Sequence, residues 1–244
     1  MNANTILWIT TLVMLGGGLL ILARGKRRTG VEGLNTVLHG IVPIIAACSY
    51  FAMATGQGLV LLPVEGTGAT RVFYFARYID WTFTTPLLLL SLALNAMHSG
   101  PKRAELIMGV VLADVMMIIT AFAFGASVAG PVKWTWFAVS CIAFLGVYYV
   151  IWGPQMAANA AERADVRSSY RRNAGILTVL WAVYPVILAV APDGLNIVSD
   201  GFSVLVIAVV DVMAKVVYGL LSVSADVATT ERDLAESGLS ARSA

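Results

Sequence analysis

The sequence predicts an all-α membrane protein built as a bundle of seven transmembrane helices. Of its 244 residues, 59% are hydrophobic and 12% are charged, whereas a soluble globular domain carries about 25% charged residues. Seven apolar stretches are long enough for a spanning helix, which needs about 20 residues. The first stretch is too long for the core of a signal peptide and follows no basic region, so it is interpreted as a membrane helix.

The seven predicted helices follow one another with short connections. They lie near residues 4–24, 35–56, 72–96, 104–125, 132–154, 171–191 and 201–224. The segment "LVLLPVEGTGATRV" (59–72) alternates in polarity and contains Gly and Pro, which predicts a short β-hairpin in the connection between the second and third helices. Residues 1–225 are predicted to form one transmembrane domain, and residues 226–244 a polar, mobile tail.

Basic residues fall mostly in the connections after the first, third and fifth helices. They are Arg24, Lys26, Arg27, Arg28, Lys102, Arg103, Arg163, Arg167, Arg171 and Arg172. The connections on the other side carry only Arg71 and Lys133. Because basic connections stay on the cytoplasmic side, the N-terminus is predicted to lie outside and the tail in the cytoplasm. We expect a multi-pass protein of the cell (plasma) membrane.

The two cysteines argue against a disulfide framework. Cys48 and Cys141 both lie within apolar stretches, where we expect them to act as small buried hydrophobic residues.

We expect neither enzymatic activity nor a metal site, and no nucleic-acid partner.

Ionisable side chains inside membrane helices are functional candidates, because each costs roughly 2.5–3.5 kcal/mol on insertion scales. The chain has six of them: His39, Arg77, Asp80, Asp114, Asp211 and Lys215. Asp211 and Lys215 lie four residues apart, on one face of the last helix. A buried lysine between carboxylates either keeps its charge or carries a Schiff base formed with an aldehyde. The alternative is an ion pair that only holds helices together.

The third helix, which contains "ARYIDWTFTTPLLLLSLAL", repeats this pattern of polar residues in an apolar segment. Asp80, Thr84 and Ser91 lie close to one stripe of the helix, with Arg77 one turn before Asp80. A cation, an acid and hydroxyls in this order fit a proton path. The alternative is that the hydroxyls bond carbonyls of their own helix, as Thr82 and Thr85 are also able to do.

Aromatic residues on the third and sixth helices indicate a ligand site. Trp181, Tyr184 and Pro185 in "LWAVYP" lie on a helix that must face the last helix. Together with Trp81 they are placed to enclose a flat, elongated apolar ligand.

Three motifs together resemble the microbial rhodopsins, in particular the bacteriorhodopsin-like branch: "RYIDWTFTTPLLLL", "LWAVYP" and "VVDVMAKV". The resemblance covers nearly the whole chain. It implies all-trans retinal bound to Lys215 as a protonated Schiff base, with Asp80 as counterion and proton acceptor and Asp211 as second counterion. It further implies that Arg77 moves between the counterions and the outer exit, and that the hydroxyl of Thr84 bonds the acceptor.

The resemblance also assigns residues around the chromophore. It implies that Tyr50 and Tyr184 hold Asp211 in place. The positions that match the retinal pocket are Trp81, Thr85, Asp114, Met117, Phe137, Ser140, Trp181, Pro185, Leu188 and Ala214. Asp114 is expected to stay protonated and to bond near Thr85. Phe137 and Leu188 stand where the family has tryptophan.

The chain departs from the outward pumps of this family where the Schiff base regains its proton. Ser91 stands at the position of their carboxylic donor, and a hydroxyl cannot act as a donor near neutral pH. His39 on the second helix is aligned beside this position and can shuttle protons. The alternative is that His39 only hydrogen-bonds Ser91 or the backbone. His98, at the loop entrance, is expected to be solvated.

On the outer side, the paired glutamates of the family's release group align with Asp193 and Ser203. Only one acid of the pair therefore remains, and Asp200 lies nearby as a possible substitute.

The resemblance leaves two functions in competition. The first is a light-driven outward proton pump, and the second is a sensory rhodopsin that signals to a separate membrane transducer. Ala214 and Val209 lack the hydroxyl residues typical of the sensory group, which favours the pump, although "GVYYVIWGP" in the fifth helix is similar to that group. The motif around Lys215 argues against a receptor without photochemistry. We expect a homo-oligomer, a trimer or pentamer, in the lipid bilayer.

Overall fold

The computed structural model describes residues 2–25, 31–66, 68–128 and 130–236 of the chain. This part contains seven helical rods and a small two-stranded sheet. The rods are α1 (Ala3–Arg24), α2 (Val31–Ala54), α3 (Phe75–Ala96), α4 (Ala104–Ala126), α5 (Gly130–Asn159), α6 (Ala164–Val190) and α7 (residues 200–236). The predicted seven-helix architecture is confirmed.

Six of these rods are long and apolar enough to span a membrane, and α3 is the exception. Arg77 and Asp80 give α3 its polar character, and both are buried inside the bundle. Large apolar side chains such as Leu12, Ile142 and Val179 are exposed instead on the outside of the bundle. Hydrophobic residues outside and charges inside are the arrangement expected of a protein surrounded by lipid, and the chain is a multi-pass membrane protein.

The two helix ends that differ most from the prediction do so because polar turns continue an apolar helix. α6 begins at Ala164, ahead of the predicted 171, and buries Val166 and Tyr170 in its first turns. α7 continues to Glu236, past the predicted 224, so the first part of the expected tail is helical. Hydropathy marks the apolar core of a helix only, whereas these polar turns are fixed by contacts to the rest of the bundle. Residues 237–244 of the tail lie outside the described residues.

The predicted hairpin between α2 and α3 is confirmed. Strands β1 (Val60–Pro63) and β2 (Thr70–Phe73) pair antiparallel, with Val60 opposite Phe73 and Pro63 opposite Thr70. Gly66 and Gly68 in the turn have φ of +76° and +69°, which glycine adopts without the strain of a side chain.

Arg71 on β2 anchors the hairpin to the end of the bundle. Its guanidinium forms a buried ion pair with Asp193 in the α6–α7 connection. It also donates to the carbonyls of Gly125, at 2.6 Å, and Ser127, at 3.2 Å, at the end of α4. One side chain thus joins three connections on this side of the bundle.

Three helices depart from regular α geometry at positions that matter for the interior. α5 contains a π turn at Ile151–Gln155 that includes Pro154, which cannot donate a helical hydrogen bond. α6 is interrupted at Ala182, three residues before Pro185. α7 contains a second π turn at Met213–Val217, with Lys215 at its centre. Single π turns of this kind are frequent at functional sites.

The orientation in the membrane remains a prediction from charge. Arg24 ends α1, Lys102 and Arg103 lie between α3 and α4, and Arg163 lies between α5 and α6. Since successive helices run in opposite directions, these residues share one end of the bundle. Lys26, Arg27 and Arg28 lie outside the described residues.

The two cysteines are free, as expected from the absence of a disulfide pattern. The expectation that both are buried is wrong, because Cys48 is exposed on α2 and Cys141 is half-buried on α5. An apolar stretch of a membrane helix has a lipid-facing side as well as a buried one, and hydropathy does not distinguish the two.

The buried pair of Arg71 and Asp193 generates a stability prediction. Removing one partner of a buried ion pair leaves the other charge uncompensated, which costs about 3–5 kcal/mol. We therefore expect Asp193→Ala to lower the melting temperature markedly when unfolding of the detergent-solubilised protein is followed by circular dichroism. Glu105→Ala, which removes the exposed pair with Arg103, is the control and should leave it near the parent value. Equal melting temperatures for the two variants would contradict the anchoring role.

Candidate functional site

Lys215 lies between two carboxylates in the interior of the bundle. Its Nζ contacts Oδ2 of Asp80 on α3 and lies 3.3 Å from Oδ1 of Asp211 on its own helix. The side chains of Lys215 and Asp80 are 2% and 1% exposed, and that of Asp211 is fully buried. A buried cation requires compensating charge of this kind. The structure therefore brings together the three residues on which the sequence interpretation depends.

Asp211 is held by three donors from three helices. Tyr50 donates to Oδ2 at 2.7 Å, and Tyr184 donates to Oδ1 at 2.5 Å. The indole Nε1 of Trp81 donates to Oδ1 at 3.3 Å. These hydrogen bonds fix the carboxylate of Asp211 from three sides.

Asp80 is less fully satisfied than Asp211. Its Oδ1 has no hydrogen-bond partner among the described residues. The hydroxyl of Thr84 donates to the backbone carbonyl of Asp80 at 2.8 Å, which is the alternative that the sequence left open for the hydroxyls of α3. With one oxygen on Lys215 and one without a partner, Asp80 is the carboxylate of the pair better placed to accept a proton.

Asp114 and Thr85 link α4 to α3 beside the charged centre. Thr85 donates from Oγ1 to Oδ2 of Asp114 at 2.7 Å and to the carbonyl of Trp81 at 2.8 Å. Asp114 is fully buried. The two residues thus form the expected bridge between these helices.

A cavity opens next to Lys215 between α3, α4, α5, α6 and α7. Its wall includes nine of the ten residues assigned to the pocket from the sequence: Trp81, Thr85, Met117, Phe137, Ser140, Trp181, Pro185, Leu188 and Ala214. The tenth, Asp114, lies behind Thr85. Tyr184, Asp211 and Lys215 complete the polar part of the wall.

Sequence interpretation missed six wall residues, all apolar or weakly polar. They are Leu88, Ile118, Ala121, Phe124, Cys141 and Phe144. Helical periodicity would have found most of them, since Leu88 is seven residues after Trp81, while Ala121 and Phe124 follow Met117 by four and seven. The cavity is therefore a mainly apolar space, and Lys215 is the lysine that the described residues place on its wall, an arrangement suited to an apolar aldehyde.

A polar cluster lies on the hairpin side of the charged centre. The guanidinium carbon of Arg77 lies 5.1 Å from the ring centre of Tyr74, whose hydroxyl donates to Oδ2 of Asp200 at 2.9 Å. Nε and Nη2 of Arg77 have no hydrogen-bond partner in the part of the chain that the structure describes. Arg77 is buried, so an internal water molecule is the partner that these donors require.

The two acids at this end of the bundle, Asp193 and Asp200, have different partners. Asp193 is paired with Arg71; burial raises the pKa of its carboxyl, while the neighbouring guanidiniums of Arg71 and Arg77 oppose that rise. The hydroxyl of Ser203 donates to the backbone carbonyl of Asp200 at 2.8 Å. Asp200 is therefore the acid that bonds Tyr74, the residue whose ring lies beside Arg77.

On the opposite side of the charged centre, His39 and Ser91 share a hydrogen bond of 2.9 Å between Nε2 and Oγ. His39 is fully buried, and its ring lies 5.5 Å from that of Tyr218 on α7. The structure therefore brings His39 to the position where the sequence lacks an acid. His98 is not simply solvated as expected, because its Nε2 lies 3.1 Å from Oδ2 of Asp233 at the end of α7.

Comparison with known proteins adds the family context. Residues 1–229 match the family model described as bacteriorhodopsin-like protein. The chain is 37% identical to archaerhodopsin-2 of Halobacterium sp. (strain aus-2) over 218 residues, which cover 88% of this chain and 82% of that protein. The matched segments contain both halves of the charged centre, Asp80 and Lys215.

Solved structures of the same fold match nearly the whole length of this chain. The thermophilic rhodopsin from Rubrobacter xylanophilus superposes with a TM-score of 0.87 at 34% identity, covering 94% of this chain and 98% of that one. The light-driven proton pump of Coccomyxa subellipsoidea superposes with a TM-score of 0.84 at 31% identity, covering 91% and 96%.

Proposed function

Since the chain belongs to the bacteriorhodopsin-like family, we propose that it is a light-driven outward proton pump whose chromophore is attached to Lys215. As in the rest of the family, the cofactor is retinal, bound covalently as a Schiff base. The observation that carries the proposal is the position of Lys215, which lies on the cavity wall and between Asp80 and Asp211.

The residues around the cavity fit retinal. Trp81, Trp181 and Tyr184 supply flat aromatic surfaces, and most of the remaining wall is apolar. Among Lys102, Lys133 and Lys215, the lysines within the described ranges, only Lys215 reaches this wall. When bound, retinal supplies the absorption of light and the isomerisation that sets a proton free beside the two carboxylates.

Asp80 receives that proton and Asp211 does not. Within the described residues, one oxygen of Asp80 has no hydrogen-bond partner, whereas three donors bond the carboxylate of Asp211. Protonation of Asp80 removes a negative charge from the site one helical turn away from Arg77. The guanidinium then favours loss of a proton from an acid on its other side. Asp193 and Asp200 are the acids there, and the contact through Tyr74 favours Asp200.

Reprotonation takes place from the His39 side. Ser91 has no acidic proton to give, but the imidazole of His39 lies within hydrogen-bonding distance of it and can accept and release protons. Arg24, Lys102, Arg103 and Arg163 lie at this end of the bundle, and the positive-inside rule assigns it to the cytoplasm. Uptake from the cytoplasm and release beyond Arg77 together give outward transport.

A sensory rhodopsin that signals to a separate transducer is the second candidate. The segment "GVYYVIWGP" in α5 favours it, and Trp152 in that segment is exposed on the bundle surface. The contact between His39 and Ser91 favours the pump, because it provides a route for reprotonation that a sensor does not need. In either case we expect a homo-oligomer in the bilayer.

Transport is the first prediction of this proposal. Cells that express the chain with retinal should acidify an unbuffered medium under illumination, as measured with a pH electrode. A protonophore should abolish the signal because it dissipates the proton gradient. A well-coloured protein without a light-driven pH change would contradict the pump and favour the sensor.

Loss of the attachment residue is the second prediction. Lys215→Ala should yield colourless protein in the visible absorption spectrum, because no amine remains on the cavity wall. Lys102→Ala, which changes a lysine in the α3–α4 connection, is the matched control and should keep its colour. Covalent colour in Lys215→Ala would overturn the assignment.

Reprotonation through His39 is the third prediction. His39→Ala and His39→Asn should delay the return of the parent absorption after a flash by about 100-fold, which is the lower range for loss of a general acid–base group. Return at the parent rate in both variants would show that His39 only bonds Ser91 and the backbone.

A further inference from the structure

His39 is fully buried and has no direct contact with bulk water. A proton that reprotonates the site must therefore reach the imidazole through groups inside the bundle. This question rests on the proposed function, since it concerns the supply of protons to the same path. One route for this supply lies between α2 and α7, where polar side chains of the two helices contact each other.

Asn35 is the first of these residues. It lies one helical turn before His39 on α2, and its side chain is buried, with 4% exposure. Its Nδ2 donates to Oδ2 of Asp226 on α7 at 3.1 Å. Within the described ranges, Oδ1 of Asn35 and Nδ1 of His39 are both buried without a hydrogen-bond partner. Buried polar atoms of this kind are commonly satisfied by an internal water molecule.

Asp226 belongs to a polar stripe on α7 in which Tyr218 and Asp226 contact α2, while Ser222 accepts a hydrogen bond from Asn173 of α6. Tyr218, Ser222 and Asp226 follow one another at intervals of four residues. Tyr218 and Ser222 are buried, whereas Asp226 is half-buried at the end of the stripe. Gly219 places the backbone of α7 next to His39, since a Cβ atom at Gly219 would lie 3.5 Å from Cβ of His39, an ordinary contact distance. The stripe therefore leads from the surface to the imidazole.

Three other acids at this end contact residues that are not neighbours of His39. Glu162 accepts hydrogen bonds from the backbone amides of Ser99 and Gly100. Asp165 and Asp233 both form ion pairs with Arg163. Asp226 is the acid whose carboxylate contacts a residue one turn from His39.

We propose that Asp226 is the entry acid for proton uptake, and that it delivers protons to His39 through a water molecule held by Asn35. The carboxylate of Asp226 takes a proton from the aqueous phase on its exposed side. The proton passes through the water to Nδ1 of His39, and the ring releases the proton on Nε2 toward Ser91. Because the two ring nitrogens face opposite ways, the imidazole transfers a proton without rotating.

Flash-induced proton uptake by the retinal-loaded full chain in phospholipid vesicles tests this inference. A pH dye reports uptake, and the visible absorption reports return of the parent state. Asp226→Asn and Asn35→Leu should each slow both signals severalfold. Asp233→Asn, on the same helix two turns later, is the matched control and should leave both rates unchanged.

Formate distinguishes a missing proton source from a disturbed helix. As a small weak acid it carries protons through the solvent, so it should restore the uptake rate of Asp226→Asn. A slow variant that formate does not accelerate has a structural defect, and that result would overturn the proposal. So would uptake at the parent rate in Asp226→Asn. A parent protein with no light-driven uptake would instead contradict the proposed pump itself.

Discussion

The structure depends on one buried positive charge. An isolated ammonium group in an apolar interior is too costly to persist, and Lys215 is 2% exposed. Asp80 and Asp211 supply the compensating charge, but two carboxylates around one cation leave an excess of negative charge. Tyr50, Tyr184 and Trp81 stabilise that excess at Asp211. Hydrogen-bond donors on α2, α3 and α6 thus together stabilise the charges that surround Lys215 on α7.

The two sides of this centre are built from different chemistry. The hairpin side uses full charges, with the guanidinium of Arg77 over the ring of Tyr74 and the buried pair of Arg71 and Asp193. The other side uses groups that are neutral or able to become so, namely His39, Ser91 and Asn35. Charged side chains keep the electric field on the hairpin side constant. Neutral side chains on the other side oppose the entry of a charge until one of them takes up a proton. In the proposed pump, this difference distinguishes the side of proton release from the side of proton uptake.

The chemistry of the centre could be predicted from the sequence because it rests on few residues with strict spacing. A lysine four residues after an aspartate on an apolar helix has few structural explanations, and the seven apolar stretches follow directly from hydropathy. The contacts of Asn35 and Asp226 could not be predicted, since both look like ordinary polar residues near helix ends. The hydroxyl of Thr84 was equally ambiguous, because a threonine in a helix bonds its own backbone as readily as a neighbouring carboxylate.

The π turn at Met213–Val217 has a consequence for the phase of α7. An α-helix rotates by about 100° per residue, so the residue absorbed in the π turn offsets the two halves of α7 by roughly that angle. Asp211 before the turn faces the cavity, while Tyr218 and Asp226 after it face α2. Deleting one residue of the π turn would leave all these polar residues in the chain. It would, however, rotate Tyr218 and Asp226 relative to Asp211, so that they no longer face α2. The proposed proton path therefore depends on the number of residues in this turn as well as on their identity.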